Sequence, residues 1–265
     1  APSYDRPMPL TIDLNADMGE SFGPWPMGDD ATLLTLVTSA NVACGAHAGD
    51  PTTMLATARA TATHGVALGA HPGFPDLQGF GRRELRMSAD EVHATVLAQV
   101  GALQAVARAA ATRVGHVKPH GALYNMAARD DALADAIARA VRDADPALVL
   151  VGLAGSRLLD AGARHALRTA AEGFADRRYR ADGSLVPRTE PHALVHDVRD
   201  AVAQALSLAR GEGVVADDGT RVAVRCDTIC LHGDGPHAVA FARAIRAALA
   251  AAGVGVAPLA GVRAA

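Results

Sequence analysis

The 265-residue chain is 50% apolar and 20% charged, and 25 basic against 28 acidic side chains leave a net charge of -3. That balance supports a full core and excludes disorder. Aromatic residues at 3% and the lack of a basic stripe exclude a dedicated nucleic-acid binder and a membrane-surface binder.

Short apolar runs alternate with longer helical periods along the chain. Strands are expected over residues 10–16, 41–45, 66–70, 114–118, 148–153, 170–174 and 228–232, with helices over 30–38, 51–64, 89–111, 131–144, 156–166, 193–210 and 236–252. Ser88 with Glu91 forms a capping box, Asp50 precedes a proline at the first helical position, and Gly253 stands where a helix stop belongs. Residues 222–225 stay unassigned, with a small hairpin against 213–216 as one option. Seven βα units in succession, without repeat or linker, predict a single domain over 1–265 built as a closed or nearly closed parallel β/α barrel. An open doubly wound sheet is the alternative.

Three cysteines, Cys44, Cys226 and Cys230, form neither a CxxC pair nor an even-numbered framework, so they read as packing residues and free thiols of a reducing compartment. The chain shows no signal-peptide pattern and no uninterrupted apolar span, and a cytoplasmic location is expected.

Strands of a parallel sheet covered on both faces are usually apolar throughout. Here polar residues recur with period two. Leu10, Ile12, Leu14 and Ala16 share one face of the first strand, and Thr11, Asp13, Asn15 and Asp17 share the other. In the fourth, Val117 opposes His116, Lys118 and His120; in the seventh, Ile229 and Leu231 oppose Thr228, Cys230, His232 and Asp234. Asn41 with His47, Gly69 with His71, and Glu172 with Asp176 repeat the split. The pattern predicts a barrel with a greasy exterior and an interior lined, toward the strand C-termini, by carboxylates, imidazoles, amides and one ammonium. Barrel enzymes keep their sites at that end. Unpartnered buried charges are expensive, so these groups must pair, bind a ligand or hold a metal.

Lys118 is the only lysine, every other basic side chain being arginine. It reads either as a position where a compact ammonium is required or as the one lysine that drift toward arginine spared. His47, His71, His120 and His232, at or just past strand ends, read as functional. His64, His93, His165, His192 and His196 read as surface or packing residues, and Asp50 and Asp234 equally as helix caps or ligand contacts.

The runs DLNADMGE (13–20), NVACGAHAGDP (41–51), GAHPGFPD (69–76), GFGRR (79–83), VKPHGALYN (117–125), EGFADR (172–177) with Tyr179, and ICLHGDGPH (229–237) resemble the blocks of the LamB/YcsF family. Seven long blocks, in order over nearly the whole chain, make the resemblance specific. The family is described as the A subunit of the ATP-dependent bacterial 5-oxoprolinase. The resemblance implies an irregular seven-stranded, TIM-like β/α barrel similar to that of polysaccharide deacetylases. It also implies opening of the lactam of 5-oxo-L-proline to L-glutamate with hydrolysis of ATP, taken with Mg, and two partner subunits, B and C.

Individual roles follow from chemistry. The chain has no G-x-x-x-x-G-K-[ST] run and its only lysine precedes proline, so a P-loop is excluded and any nucleotide is bound otherwise or by a partner. Asp13 or Asp17 is the candidate general base toward water and Lys118 the neutraliser of developing charge. His120, His232 or His71 would deliver a proton to the departing nitrogen. Asn15, Asn41, His47, His71, Arg82, Arg83, Glu172, Asp176, Arg177 and Asp234 are candidate substrate or nucleotide contacts. Residues 72–87 read either as a lid carrying the Arg82–Arg83 pair or as an ordinary loop with a solvated pair. A second enzyme reading places a divalent zinc, manganese or iron ion on Asp17, His47 and His71. A third makes the chain a non-catalytic module that captures a small acid.

Overall fold

The computed structural model describes residues 10–232, 237–259 and 261–262. Its elements, in order, are β1 (Thr11–Met18), α1 (Asp30–Leu33), β2 (Ser39–Ala43), α2 (Pro51–His64), β3 (Ala67–His71), α3 (Ala89–Ala109), β4 (Val114–Val117), α4 (Gly121–Ala127), α5 (Asp131–Ala144), β5 (Val149–Leu153), α6 (Arg157–Arg164), β6 (Arg168–Phe174), α7 (Val198–Ala209), β7 (Val214–Val215), β8 (Arg221–Val222), β9 (Thr228–Leu231), α8 (Ala238–Ala251) and β10 (Gly255–Val256). Strands β1 to β6 follow one another in parallel and β9 comes next. The ring closes where β9 returns to β1, with Asp13 opposite Thr228 and Ala16 opposite Leu231. Seven parallel strands thus form a closed barrel, and the open-sheet alternative is discarded.

The predicted parity sorts the side chains. Ile12, Leu14 and Ala16 of β1, with Val42, Leu68, Val117, Leu150 and Ile229 from other strands, join the apolar core. Each fully buried Leu or Ile there is worth roughly 1.5–3 kcal/mol. Asp50 accepts hydrogen bonds from the Thr52 and Thr53 N–H groups, which settles it as a helix cap. The Ser88–Glu91 capping box is present.

Several boundaries differ from expectation for local reasons. Strand β2 starts at Ser39, where it pairs with Asn15, and Gly45, at φ 90°, turns the chain out of the sheet soon after its end. Helix α7 begins only at Val198 because Asp197 caps the Arg199 N–H. Helix α4 falls outside the predicted elements; it starts directly after His120 and sets the chain across the mouth. The suggested hairpin is real, β7 pairing antiparallel with β8.

The C-terminal tail, which carries no motif, closes the other end of the barrel. Strand β10 pairs with Thr11 and Ile12 of β1, and Leu259 and Val262 pack against inward-facing Ala67, Val149, Val151 and Ala170. The tail thus plugs the floor of the barrel, opposite the strand C-termini. No described helix is long and apolar enough to cross a membrane.

Candidate active site

Strand β1 carries a ladder of polar groups up the barrel interior. At the bottom, Asp13 accepts hydrogen bonds from the hydroxyls of Thr38 (2.7 Å), Ser39 (2.7 Å) and Thr228 (2.5 Å). Burial pushes its carboxyl up to about 6, against the pull of those three bonds. One rung higher, the Asn15 amide donates to Glu172 Oε1 (3.0 Å) and Thr228 Oγ1 (2.6 Å) and accepts from Asn41 (2.7 Å). His116 donates from Nε2 to the Asn41 carbonyl oxygen at 2.8 Å. Its ring lies against Gly69, where any Cβ would overlap it. Burial, helped by the Lys118 charge, drops the His116 imidazole to about 3, so it stays neutral.

Lys118, 2% exposed, holds the centre. Its Nζ lies 2.9 Å from Glu172 Oε1, 3.0 Å from Asp17 Oδ1, 3.3 Å from Asn15 Oδ1 and 3.1 Å from Cys230 Sγ. An ammonium has three protons, so these acceptors already claim all of them. Burial works against the charge, but the neighbouring carboxylates outweigh it and hold the Lys118 pKa well above its ordinary value. Burial likewise pushes Asp17 upward, yet the adjacent His71 and the Lys118 ammonium prevail and keep its carboxyl well below the usual range. Tyr124, from the first turn of α4, donates to Glu172 Oε2 at 2.7 Å. The Cys230 thiol is held protonated by burial.

Above Asp17 stand three imidazoles. His71 donates from Nδ1 to the Lys118 carbonyl (2.8 Å), with its Nε2 3.4 Å from Asp17 Oδ2. His120 donates from Nε2 to the Phe80 carbonyl (2.8 Å). His47 stacks on His120, centroids 3.7 Å apart and planes within 3°. Residues 72–87 close over these rings and do not stand away as an open lid. Gly81 sits so tightly against His47 and His120 that a Cβ would press on both, and its carbonyl receives the Ala122 N–H.

On the far side, Asp176 takes the His232 Nδ1–H (2.8 and 2.9 Å) and its backbone N–H (3.1 Å). Burial would raise the Asp176 carboxyl, but the His232 charge and hydrogen bonds lower it. A ring nitrogen of His232, an Asp17 oxygen and Cys230 Sγ lie within 4.8 Å of one another. Beside His232 opens a cavity of about 150 Å³ lined by Asp176, Arg188, His196, Leu231 and Phe241.

The structure therefore brings together Asn15, Asp17, Asn41, His47, His71, Lys118, His120, Glu172, Asp176 and His232. Asp13 is set apart, four residues below Asp17 or about 13 Å along the strand, with both oxygens engaged by hydroxyls. Arg83 is committed to Asp76 within its own loop and its side chain is 60% exposed; Arg82 lies over the Phe80 ring. Arg177 is buried and donates to the Val186 carbonyl. Asp234 lies outside the described residues. Sequence reasoning missed Glu20, Tyr124, Thr228 and the Lys118–Cys230 contact, although Glu20 and Tyr124 both fall inside quoted motifs and Thr228 shares the inward parity.

Comparison with known proteins agrees with this geometry. The model of the LamB/YcsF family matches residues 12–264. A relative from Methylococcus capsulatus, named as the A subunit of 5-oxoprolinase, is 59% identical over 254 residues, covering 96% of this chain and 98% of the relative. A lactam utilization protein from Thermus thermophilus superposes with a TM-score of 0.88 at 48% identity, over 94% of this chain and 99% of that one. A family 4 carbohydrate esterase from Streptomyces lividans, at 12% identity and a TM-score of 0.50 over 96% of both chains, shares the fold alone. With a family model spanning nearly the whole described barrel and relatives this similar, the chain belongs to the LamB/YcsF family.

Proposed function

We propose that this chain is the A subunit of a 5-oxoprolinase, opening 5-oxo-L-proline to L-glutamate with hydrolysis of ATP, in the cytoplasm, together with B and C partner subunits. The observation that carries the reading is the saturated buried ammonium of Lys118 between Asp17 and Glu172, at the mouth of a barrel whose relatives are named for 5-oxoprolinase and for lactam utilization. That the first of these relatives is named as one subunit of its enzyme supports partner chains, and three free thiols suit a reducing compartment.

A lactam resists water because its amide is resonance-stabilised. ATP supplies the driving force by phosphorylating the lactam oxygen; with no P-loop in this chain, a partner contributes to holding the nucleotide. Water then adds to the ring carbon, the carbon–nitrogen bond breaks as the nitrogen takes a proton, and the carboxyl phosphate so formed is cleaved by a second water to L-glutamate and inorganic phosphate. His232 is the proton carrier in this reading. Asp176 fixes its tautomer from Nδ1, which leaves Nε2 for water and then for the leaving nitrogen. Asp17 is held too acidic to be the base, and with Lys118 it sets the charge of the site. Asp13, sealed in the floor, takes no part. The cavity beside His232 holds the small acid.

The test is glutamate formation from 5-oxoproline by the chain assembled with its B and C partners, with and without ATP. His232→Gln is expected to lower turnover by about 10²–10⁴-fold, as for loss of an acid–base group, with the circular dichroism spectrum unchanged. Wild-type turnover of that variant removes His232 from the mechanism, and no ATP-dependent glutamate from the wild-type assembly overturns the function.

A further inference from the structure

We propose that Glu20, His47, His71 and His120 form a binding site for one divalent first-row transition-metal ion at the barrel mouth. The site goes beyond the lactam reading and stands or falls without it. One ligand atom from each of the four residues lies within 4.8 Å of the others. All four side chains are buried, at 6%, 1%, 1% and 4% exposure.

The hydrogen-bond logic of the rings points to a cation. Backbone carbonyls claim the N–H of His71 at Nδ1 and of His120 at Nε2. In its neutral form each ring presents only a lone pair at its other nitrogen. Those two nitrogens, His71 Nε2 and His120 Nδ1, face each other at 2.9 Å, where two acceptors repel. His47 is more demanding: neither ring nitrogen has a hydrogen-bond partner, although a buried polar group left unsatisfied costs about 1–3 kcal/mol. Its Nε2 is 3.8 Å from Glu20 Oε1, the same distance that separates that oxygen from His120 Nδ1. Bonds of about 2.1 Å put neighbouring ligand atoms about 3.0 Å apart at right angles and about 3.4 Å apart in a tetrahedron, a spacing these atoms approach. One ion meets all the lone pairs at once.

The surroundings match. The carbonyls that hold the outer N–H of His71 and of His120 are the usual support of metal-bound histidine. Three imidazoles and a carboxylate without thiolate select zinc, iron or manganese over magnesium and calcium. The set differs from the Asp17, His47 and His71 combination that residue types alone suggest. Asp17 Oδ1 is filled by Lys118 and Asn41 and its Oδ2 lies 3.4 Å from His71 Nε2, while the residues whose ligand atoms gather with those of His47 and His71 are Glu20 and His120. On loading, the His47 ring turns out of its parallel stack so that its in-plane lone pair meets the ion.

The competing arrangement is a proton shared between His71 and His120, which would relieve their repulsion and leave His47 unpaired. Full-length chain stripped with a chelator and titrated calorimetrically with zinc, iron(II) or manganese(II) separates the two. One ion per chain, retained through gel filtration and absent from His71→Ala and Glu20→Gln, is the expected result. The affinity loss should exceed about 100-fold, since supporting residues alone are worth about 10–100-fold. Visible bands from the cobalt(II)-loaded chain, lost in His47→Ala, report the site without reference to activity, and His93→Ala serves as the unaffected control. Less than about a tenth of an ion per wild-type chain with every metal, or equal binding by the wild type and all three ligand variants, overturns the site.

Discussion

Asp13→Asn isolates the energetic cost of ionising a carboxyl in the barrel floor. The native carboxyl is pushed up to about 6 from an ordinary 3.8, and at roughly 1.36 kcal/mol per pH unit its ionisation costs the folded chain about 3 kcal/mol. A raised carboxyl pKa means that the native state binds the extra proton. Its contribution is complete below pH 3.8 and is lost as pH rises through about 6. An asparagine never ionises. Its carbonyl oxygen keeps the Thr38 and Ser39 donors, while the amide nitrogen that replaces Oδ2 cannot accept the Thr228 O–H, so the lost Thr228 bond costs about 1 kcal/mol at every pH. Urea unfolding of both proteins from pH 4 to pH 8 is the assay. The variant should gain about 3 kcal/mol on the wild type between pH 4 and pH 7 and no more above. A difference that stays constant within about 0.5 kcal/mol over that range would show that the three hydroxyls fully compensate burial, and would refute the reasoning.

Lys118→Met keeps the unbranched stem of the side chain and removes the ammonium between Asp17 and Glu172. Breaking a buried ion pair on one side typically costs about 3–5 kcal/mol. Asp17 is depressed, so the wild-type advantage is complete above about pH 4 and shrinks as acid protonates the carboxylate; equal urea midpoints at pH 7 would count against a central role. Tyr124→Phe deprives Glu172 Oε2 of its hydroxyl donor, with an expected loss of about 1–3 kcal/mol; a change under about 0.5 kcal/mol in the same assay would mean that another donor steps in. Gly69→Ala puts a methyl group inside the His116 ring and should cost about 1–3 kcal/mol by overpacking, together with a shift of the His116 ring resonances by NMR. Unmoved resonances would show that the backbone yields in place of the ring.

Period-two polarity in β1, β4, β6 and β9 was enough to place Asn15, Asp17, Lys118, Glu172 and Cys230 inside one barrel, because side chains of a strand alternate strictly between its faces. The parallel β/α architecture was legible for a related reason, since alternating apolar runs and capped helices leave few topologies, but a closed barrel and an open sheet share that pattern. Strand ends were less so. Hydrogen bonding to a neighbour decides them, and Ser39 belongs to β2 only because Asn15 stands opposite.

Beyond the ends of the strands the alternation carries no information. Glu20 lies past the turn at Gly19, whose φ is 66°, and Tyr124 reaches Glu172 only because α4 crosses the mouth. The Arg82–Arg83 pair looked equally like a ligand clamp until loop closure brought Arg83 onto Asp76. Distances among His47, His71 and His120, and the carbonyls that fix their tautomers, depend on three separate loops meeting. The amino-acid sequence by itself therefore determined which groups share the inward face of each strand, and the pairing of β9 with β1 decided that the barrel closes around them. Tertiary structure decided which of those groups touch, because hydrogen-bond geometry at loop and helix junctions has no period that a linear pattern can record.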